Sequence, residues 1–212
     1  MTDNLKMEKY IEGMVKNYRS KATLLWRIRN SVGRRGRELI YHALVGSILN
    51  YVITLLGEIK SDTLKQLQVG QNIAMRYILG WDRESRILDM LKELDWLCME
   101  LFIKSKIFLL IFKLRKGIIE GMEEEKGILR KSGDRNLRNS NKVMYHDNKW
   151  VDGMIFYKGL RDYLLFGCDK WEQLEVGGFK KKLKAEFMKF QENNWGDGTL
   201  RPKCYRWREF GL

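Results

Sequence analysis

A single proline, Pro202, occurs among the 212 residues of this chain. Proline is common in turns and at sheet edges, whereas its ring disrupts the interior of a helix, so long helices exclude it. Hydrophobic residues make up 44% of the chain and seven residues are tryptophan, which is too apolar for a disordered segment and sufficient for a core. The near absence of proline from such a chain predicts an all-α fold.

The apolar residues define where the helices should lie. Their period near 3.6 predicts helices over 5–30, 37–56, 63–79, 82–91 and 96–116. Ser61 or Asp62, Asp82 and Asp95 are the expected N-caps of the last three, and Gly80 should end the third. The uncharged run 42–57 has 16 residues, fewer than the roughly 20 that cross a bilayer, so we expect a buried helix and no membrane partner.

The chain is expected to contain three regions. Successive helices with short connections predict a helical bundle over 1–116. The segment 117–148 is charged, glycine-rich and aperiodic, which predicts a flexible linker. Two further helical patterns, 149–167 and 178–194, predict a small helical C-terminal region over 149–212.

Basic residues are concentrated near the end of the first predicted helix. The chain carries a net charge of +13, which favours a polyanionic partner. Residues 13–37 include eight basic residues and no acid, and the last five of the eight are Arg27, Arg29, Arg34, Arg35 and Arg37. The guanidinium fork suits phosphate oxygens. A solvated helix face is the alternative, but solvated surfaces normally mix both signs of charge, so nucleic-acid contact is favoured.

A second basic cluster lies in "FKKKLKAEF", with Lys180, Lys181, Lys182 and Lys184. Phosphate contact and an ordinary amphipathic helix with solvated lysines are both open here. The phenylalanines of this segment fall on the opposite face, and Phe187 is expected in the core rather than as a platform for base stacking.

The third predicted helix mixes apolar and polar residues. Leu67, Ala74 and Ile78 are expected to be core, and Gln71 and Asn72 to bind neighbouring backbone, because buried polar groups need partners. Arg76 could reach a phosphate or a nearby acid.

The sequence predicts no catalytic residue, no metal site and no cofactor. Phosphoryl transfer requires clustered carboxylates to hold metal ions, and no adjacent Asp pair or DxD occurs. His42 and His146 are the only histidines. Three widely spaced cysteines favour a reducing compartment, so an intracellular location, nuclear or cytoplasmic, is expected.

Three segments in fixed order carry a family resemblance: "ELIYHALVGSILNYVITLLG", "LKQLQVGQNIAMRYILGWDRESR" and "MLKELDWLCMELFIKSK". Together they resemble the region that follows the polymerase palm in reverse transcriptases of non-LTR retrotransposons (LINE, jockey-like). The matching positions include Tyr41, Ala43, Leu44, Ser47, Leu49, Tyr51, Gly57, Leu67, Gln71, Asn72, Ala74, Arg76, Ile78, Leu79, Gly80, Leu91, Leu94, Trp96 and Leu97. The distal "IFYKGLRDYL" and "FKKKLKAEF" are similar to stretches near the end of such proteins, so the likeness spans roughly 5–190.

The resemblance implies a thumb, a helical bundle that holds duplex against the palm, followed by a C-terminal extension. It implies RNA, DNA or RNA–DNA hybrid as partner, and the palm of a parent polyprotein as a second. The family's catalytic aspartates lie in the palm and have no counterpart here, so the chain, which resembles part of an RNA-directed DNA polymerase, is expected to be inactive alone. The alternatives are a helical protein-interaction module or an inert remnant. A thumb without its palm should expose an apolar face, which would favour self-association.

Overall fold

The computed structural model describes residues 2–52, 61–119 and 155–195. Within these ranges the chain is helical and has no sheet, which confirms the predicted all-α fold. The α-helices are α1 (Thr2–Arg27), α2 (Arg34–Tyr41), α3 (Ser47–Val52), α4 (Ser61–Leu79), α5 (Ile87–Glu93), α6 (Met99–Arg115), α7 (Ile155–Leu165) and α8 (Val176–Asn194). A π-helical turn, His42–Gly46, joins α2 to α3, and a 3-10 turn, Cys168–Trp171, follows α7.

Several helix ends differ from the sequence prediction. The second predicted helix begins at Arg34 rather than at residue 37, and its predicted end at Gly57 lies outside the described residues. Gly80 ends α4 as predicted, with a φ of 72° that favours glycine. Asp82 is not a helix cap, because its carbonyl accepts from the Ser85 N–H in a turn and α5 starts only at Ile87.

Asp95 is also not an N-cap. It has a φ of 54°, in the left-handed region, and α6 begins four residues later, at Met99. Asparagine and aspartate tolerate this conformation better than most other residues do. The predicted start of this helix was therefore wrong.

The chain forms two compact units. The first unit comprises Met1–Ile103 with Ala185–Leu212, and the second unit comprises Lys104–Lys184. The division falls inside α6 and inside α8. The regions expected from the sequence, a bundle (1–116), a linker (117–148) and a C-terminal region (149–212), stay a prediction, because most of 117–148 lies outside the described residues.

In the first unit, α1 packs closely on α4. Tyr18 on α1 is fully buried, and its ring lies directly against the backbone of Gly70 on α4. Leu67, Ala74 and Ile78 are fully buried on α4, as their spacing predicted.

Aromatic side chains form the core of the second unit. Phe112 on α6 stacks on Phe179 on α8, with ring centroids 4.0 Å apart, and Phe108 meets the edge of Tyr163 at 5.6 Å. The Tyr163 hydroxyl donates to the carbonyl of Cys168 at 3.2 Å. Offset and edge-on ring pairs of this kind add about 0.5–1.5 kcal/mol each beyond the burial of their area.

In the described part of the chain, no helix is both long enough and apolar enough to cross a membrane.

Candidate nucleic-acid interface

Two of the five predicted contact arginines have exposed side chains that find no partner among the described residues. Arg27 is the last residue of α1 and Arg35 is the second residue of α2. Within the described ranges neither side chain forms an ion pair or a hydrogen bond. An exposed guanidinium without an internal partner keeps all its donors for a phosphate. These two arginines are the ones best placed for the predicted contact.

Arg37 has a structural partner. Its Nη1 donates to the carbonyl of Tyr77 at 2.9 Å, in the last turn of α4, and its side chain is half-buried. A Cβ at Gly80 would lie 3.2 Å from the same Nη1, so the guanidinium sits against the end of the helix. A cation at this position satisfies an otherwise unpaired carbonyl and complements the negative end of the helix dipole. Arg37 therefore caps α4.

Arg34 and Arg29 have weaker partners at the surface. Arg34 Nη1 lies 2.8 Å from Glu93 Oε1, with both side chains about half exposed. Arg29 places its guanidinium 4.1 Å from the centroid of the Trp26 ring. Residues 13–37 contain no acidic residue, but in the folded chain Glu93 of α5 lies next to Arg34 in this stretch. A phosphate that binds Arg34 would compete with Glu93.

Arg76 binds the backbone of the turn that follows its own helix. Its Nε donates to the carbonyl of Asp82 at 3.2 Å and its Nη2 to that of Arg83 at 3.0 Å. Partial burial lowers the pKa of Arg76, and the charge of Arg83 lowers it further. Its partners are carbonyl oxygens rather than the acid suggested by the sequence, and two of its donors are already used by the protein.

The polar residues of α4 bind the segment that leads into α6. Gln71 is buried, and its Nε2 donates to the carbonyl of Leu97 at 2.8 Å, which confirms the expected backbone contact. Asn72 behaves differently, because its Oδ1 accepts from Gln68 Nε2 at 3.0 Å. Gln68 Oε1 in turn accepts from the Met99 N–H at 2.9 Å. This helix is anchored through amides, as a structural element rather than a ligand site.

Gln191 on α8 completes the same arrangement. Its side chain is fully buried, its Oε1 accepts from the Cys98 N–H at 2.6 Å, and its Nε2 donates to the carbonyl of Trp96 at 3.3 Å. The first N–H groups of a helix have no partner within the helix. Side chains from α4 and α8 supply these partners for α6, and no local sequence pattern singles out Gln68 or Gln191 for this role.

The predicted lysines of α8 lie outside the set of residues that the helix buries. Phe179, Leu183 and Phe187 are buried, as expected from their spacing. Four lysines of this helix were predicted to bind nucleic acid: Lys180, Lys181, Lys182 and Lys184. The first three are exposed and Lys184 is half-buried. Lys182 Nζ lies 4.9 Å from the centroid of the Trp171 ring. They belong to the second unit, whereas the arginines belong to the first.

Two lysines of α6 join this basic surface, although the sequence patterns did not single them out. Lys106 and Lys113 are half-buried, and Lys106 is close enough to Lys113 and Lys180 for its pKa to be affected. The pKa of Lys106 is lowered first by burial and then by these two positive charges. Lys106 and Lys113 are seven residues apart, a spacing that places both on one face of a helix, and this was the signal in the sequence that could have identified them.

The described residues contain no group of three His, Cys, Asp or Glu side chains that could hold a metal ion. Comparison of the chain with protein-family models, with curated proteins and with solved structures finds no match. The basic side chains and their surroundings are therefore the basis for a functional proposal.

Proposed function

We propose that this chain binds duplex nucleic acid through backbone phosphates, as a fragment that resembles the thumb and C-terminal extension of a retrotransposon reverse transcriptase. The observation that carries the proposal is the exposure of Arg27 and Arg35, which have no ion-pair partner within the described ranges, in a chain of net charge +13. Intracellular RNA, DNA and RNA–DNA hybrid are the proposed partners, and the polymerase palm is a further one.

The proposed contact is electrostatic and independent of base sequence. Phosphate contacts position a protein on a duplex without reading its bases. A-form helices are recognised mostly through shape, phosphates and 2′-hydroxyls, since their deep major groove excludes side chains. Guanidinium groups on α1 and α2 fit this mode, and the proposal assigns the chain no polymerase activity of its own.

The test replaces Arg27 and Arg35 together by Ala and measures the affinity for an RNA–DNA hybrid at several salt concentrations. Each lost phosphate contact should reduce the log–log salt slope by about 0.9, so the double variant should lose about two units. The double variant Arg83→Ala/Arg86→Ala removes the same charge from other exposed positions of the first unit and serves as the control.

If the salt slope falls less in the control variant than in the Arg27/Arg35 variant, the result supports a phosphate contact at Arg27 and Arg35. An equal loss in both variants would mean that only the net charge matters, and the proposed contact residues would be wrong. A wild-type chain that binds no hybrid, RNA or DNA duplex even at low salt would overturn the proposed function itself.

A helical interaction module is the second candidate. Leu39 on α2 is 68% exposed and Leu44 in the π-helical turn is 50% exposed, both high for leucine. Exposed apolar surface is typical of protein contact sites. Concentration-dependent association in sedimentation experiments, abolished by Leu39→Lys, would favour this candidate. A chain that neither associates nor binds nucleic acid would fit an inert remnant.

A further inference from the structure

The second unit contains a group of lysine side chains that comes from two helices. Lys106 and Lys113 stand seven residues apart on α6, so two helical turns, about 10.5 Å, separate them along one face. Lys180 lies on α8. The stacked rings of Phe112 and Phe179, 4.0 Å between centroids, bring together the backbones that carry Lys113 and Lys180.

The positive charges of Lys113 and Lys180 act on Lys106. Lys106 is half-buried, and its pKa is lowered by burial and then by the positive charges of Lys180 and Lys113. Like charges at short range disfavour each other's ionised form, and an anion placed among them would reverse the effect. Positive charge continues along α8 through the exposed Lys181 and Lys182. Ammonium groups that come from two helices can contact several phosphates at once, which suits a nucleic-acid backbone better than a single ion.

We infer that Lys106, Lys113 and Lys180 form a phosphate-binding cluster that contacts the backbone of a nucleic-acid duplex. This inference rests on the proposed function and adds a contact in the second unit that does not depend on Arg27 or Arg35. The lysine ammonium is a compact charge with three donors, so it can bind phosphate oxygens without a fixed geometry. The cluster therefore contributes affinity without base preference.

The experiment follows the lysine side chains of the full chain by NMR. Lysine is labelled with ¹³C, and the Lys106 signal is assigned by its loss in Lys106→Arg. In the free protein Lys106 should titrate below the ordinary lysine range. When a short RNA duplex is added, its pKa should rise, because a nearby phosphate favours the charged ammonium. Fluorescence anisotropy of the same duplex reports total binding in parallel.

A double variant, Lys113→Gln/Lys180→Gln, tests the cluster independently. Removal of two positive neighbours should raise the pKa of Lys106 in the free protein. The same change should reduce the salt slope of duplex binding by about two units. Lys9→Gln/Lys16→Gln, which removes two exposed lysines from the first unit, is the matched control and should leave the pKa of Lys106 unchanged.

The outcomes separate this inference from the proposed function. Duplex binding by anisotropy with an unchanged Lys106 pKa would overturn the cluster and leave the proposed function intact. Duplex binding that survives Arg27→Ala/Arg35→Ala but loses its slope in the lysine variant would support the cluster and overturn the arginine contact. Absence of all duplex binding would overturn both.

Discussion

Arg35 and Arg37 stand two residues apart on α2, yet their side chains have different surroundings. Arg35 is exposed, whereas Arg37 is half-buried and caps α4 through the carbonyl of Tyr77. A charged hydrogen bond to an otherwise unpaired helix carbonyl stabilises a protein by about 1–2 kcal/mol. We expect Arg37→Ala to lower the free energy of unfolding by about that amount and Arg35→Ala to change it by less than about 0.5 kcal/mol. Urea denaturation would measure both, and equal losses would contradict the assigned roles.

Two buried tyrosines predict a loss of stability at high pH. Tyr18 and Tyr41 are 0% and 5% exposed, and burial raises the pKa of both, that of Tyr41 to about 12. In the unfolded chain both phenols have a pKa near 10. Above that pH the unfolded chain releases protons that the folded chain retains. The contribution of these groups to stability is therefore complete below about pH 10 and is lost as the pH rises towards 12.

Urea midpoints measured from about pH 8 to pH 11 would test this. The double variant Tyr18→Phe/Tyr41→Phe should show a flatter decline than the wild type. Tyr10→Phe changes a tyrosine that is 50% exposed and should leave the profile as it is. A wild-type midpoint that stays constant over this range would refute the prediction.

At the scale of helices, the closest approach of α1 and α4 depends on Gly70. A Cβ at this position would collide with the ring of Tyr18, at 2.8 Å from Cδ1 and closer still to Cε1. Gly70→Ala should therefore destabilise the protein by about 1–3 kcal/mol, although alanine is the better helix former. Gly13→Ala is the control, because Gly13 is exposed within α1 and its Cβ would meet nothing within 4 Å. That change should stabilise the protein by about 0.5–1 kcal/mol, and melting experiments should show shifts of opposite sign.

The N-terminus of α6 depends on side chains from other helices. Replacing the fully buried Gln191 by Ala would leave the Cys98 N–H and the Trp96 carbonyl without partners. Each unsatisfied buried group costs about 1–3 kcal/mol, so we expect a loss of at least about 2 kcal/mol in urea denaturation. Asn193 lies exposed on the same helix, and Asn193→Ala should change stability by less than about 0.5 kcal/mol. Similar losses in the two variants would show that these bonds are not important.

For the whole molecule, the sequence predicted the helices better than their ends or their partners. The scarcity of proline and the 3.6 period are local properties, and they were sufficient for α1, α4 and α6. The start of α6 was wrong because its N–H groups bind Gln68 and Gln191, which lie 31 and 93 residues away from their partners. Likewise, the approach of Glu93 to Arg34 and the cap formed by Arg37 exist only after folding. Charge composition could indicate a basic surface but not which guanidinium groups stay exposed.

The net charge of +13 leads to a prediction for the molecule as a whole. With about four phosphate contacts, a fourfold rise in salt should lower duplex affinity about a hundredfold, because each contact displaces condensed counterions. A change of base sequence at constant length should alter affinity by less than tenfold, about 1.4 kcal/mol, since phosphate contacts carry no sequence information. Anisotropy titrations of unrelated RNA duplexes and RNA–DNA hybrids at about 50 and 200 mM salt would measure both effects. Discrimination beyond tenfold at one salt concentration would indicate base recognition, and affinity that does not change with salt would indicate apolar contact instead of phosphate binding.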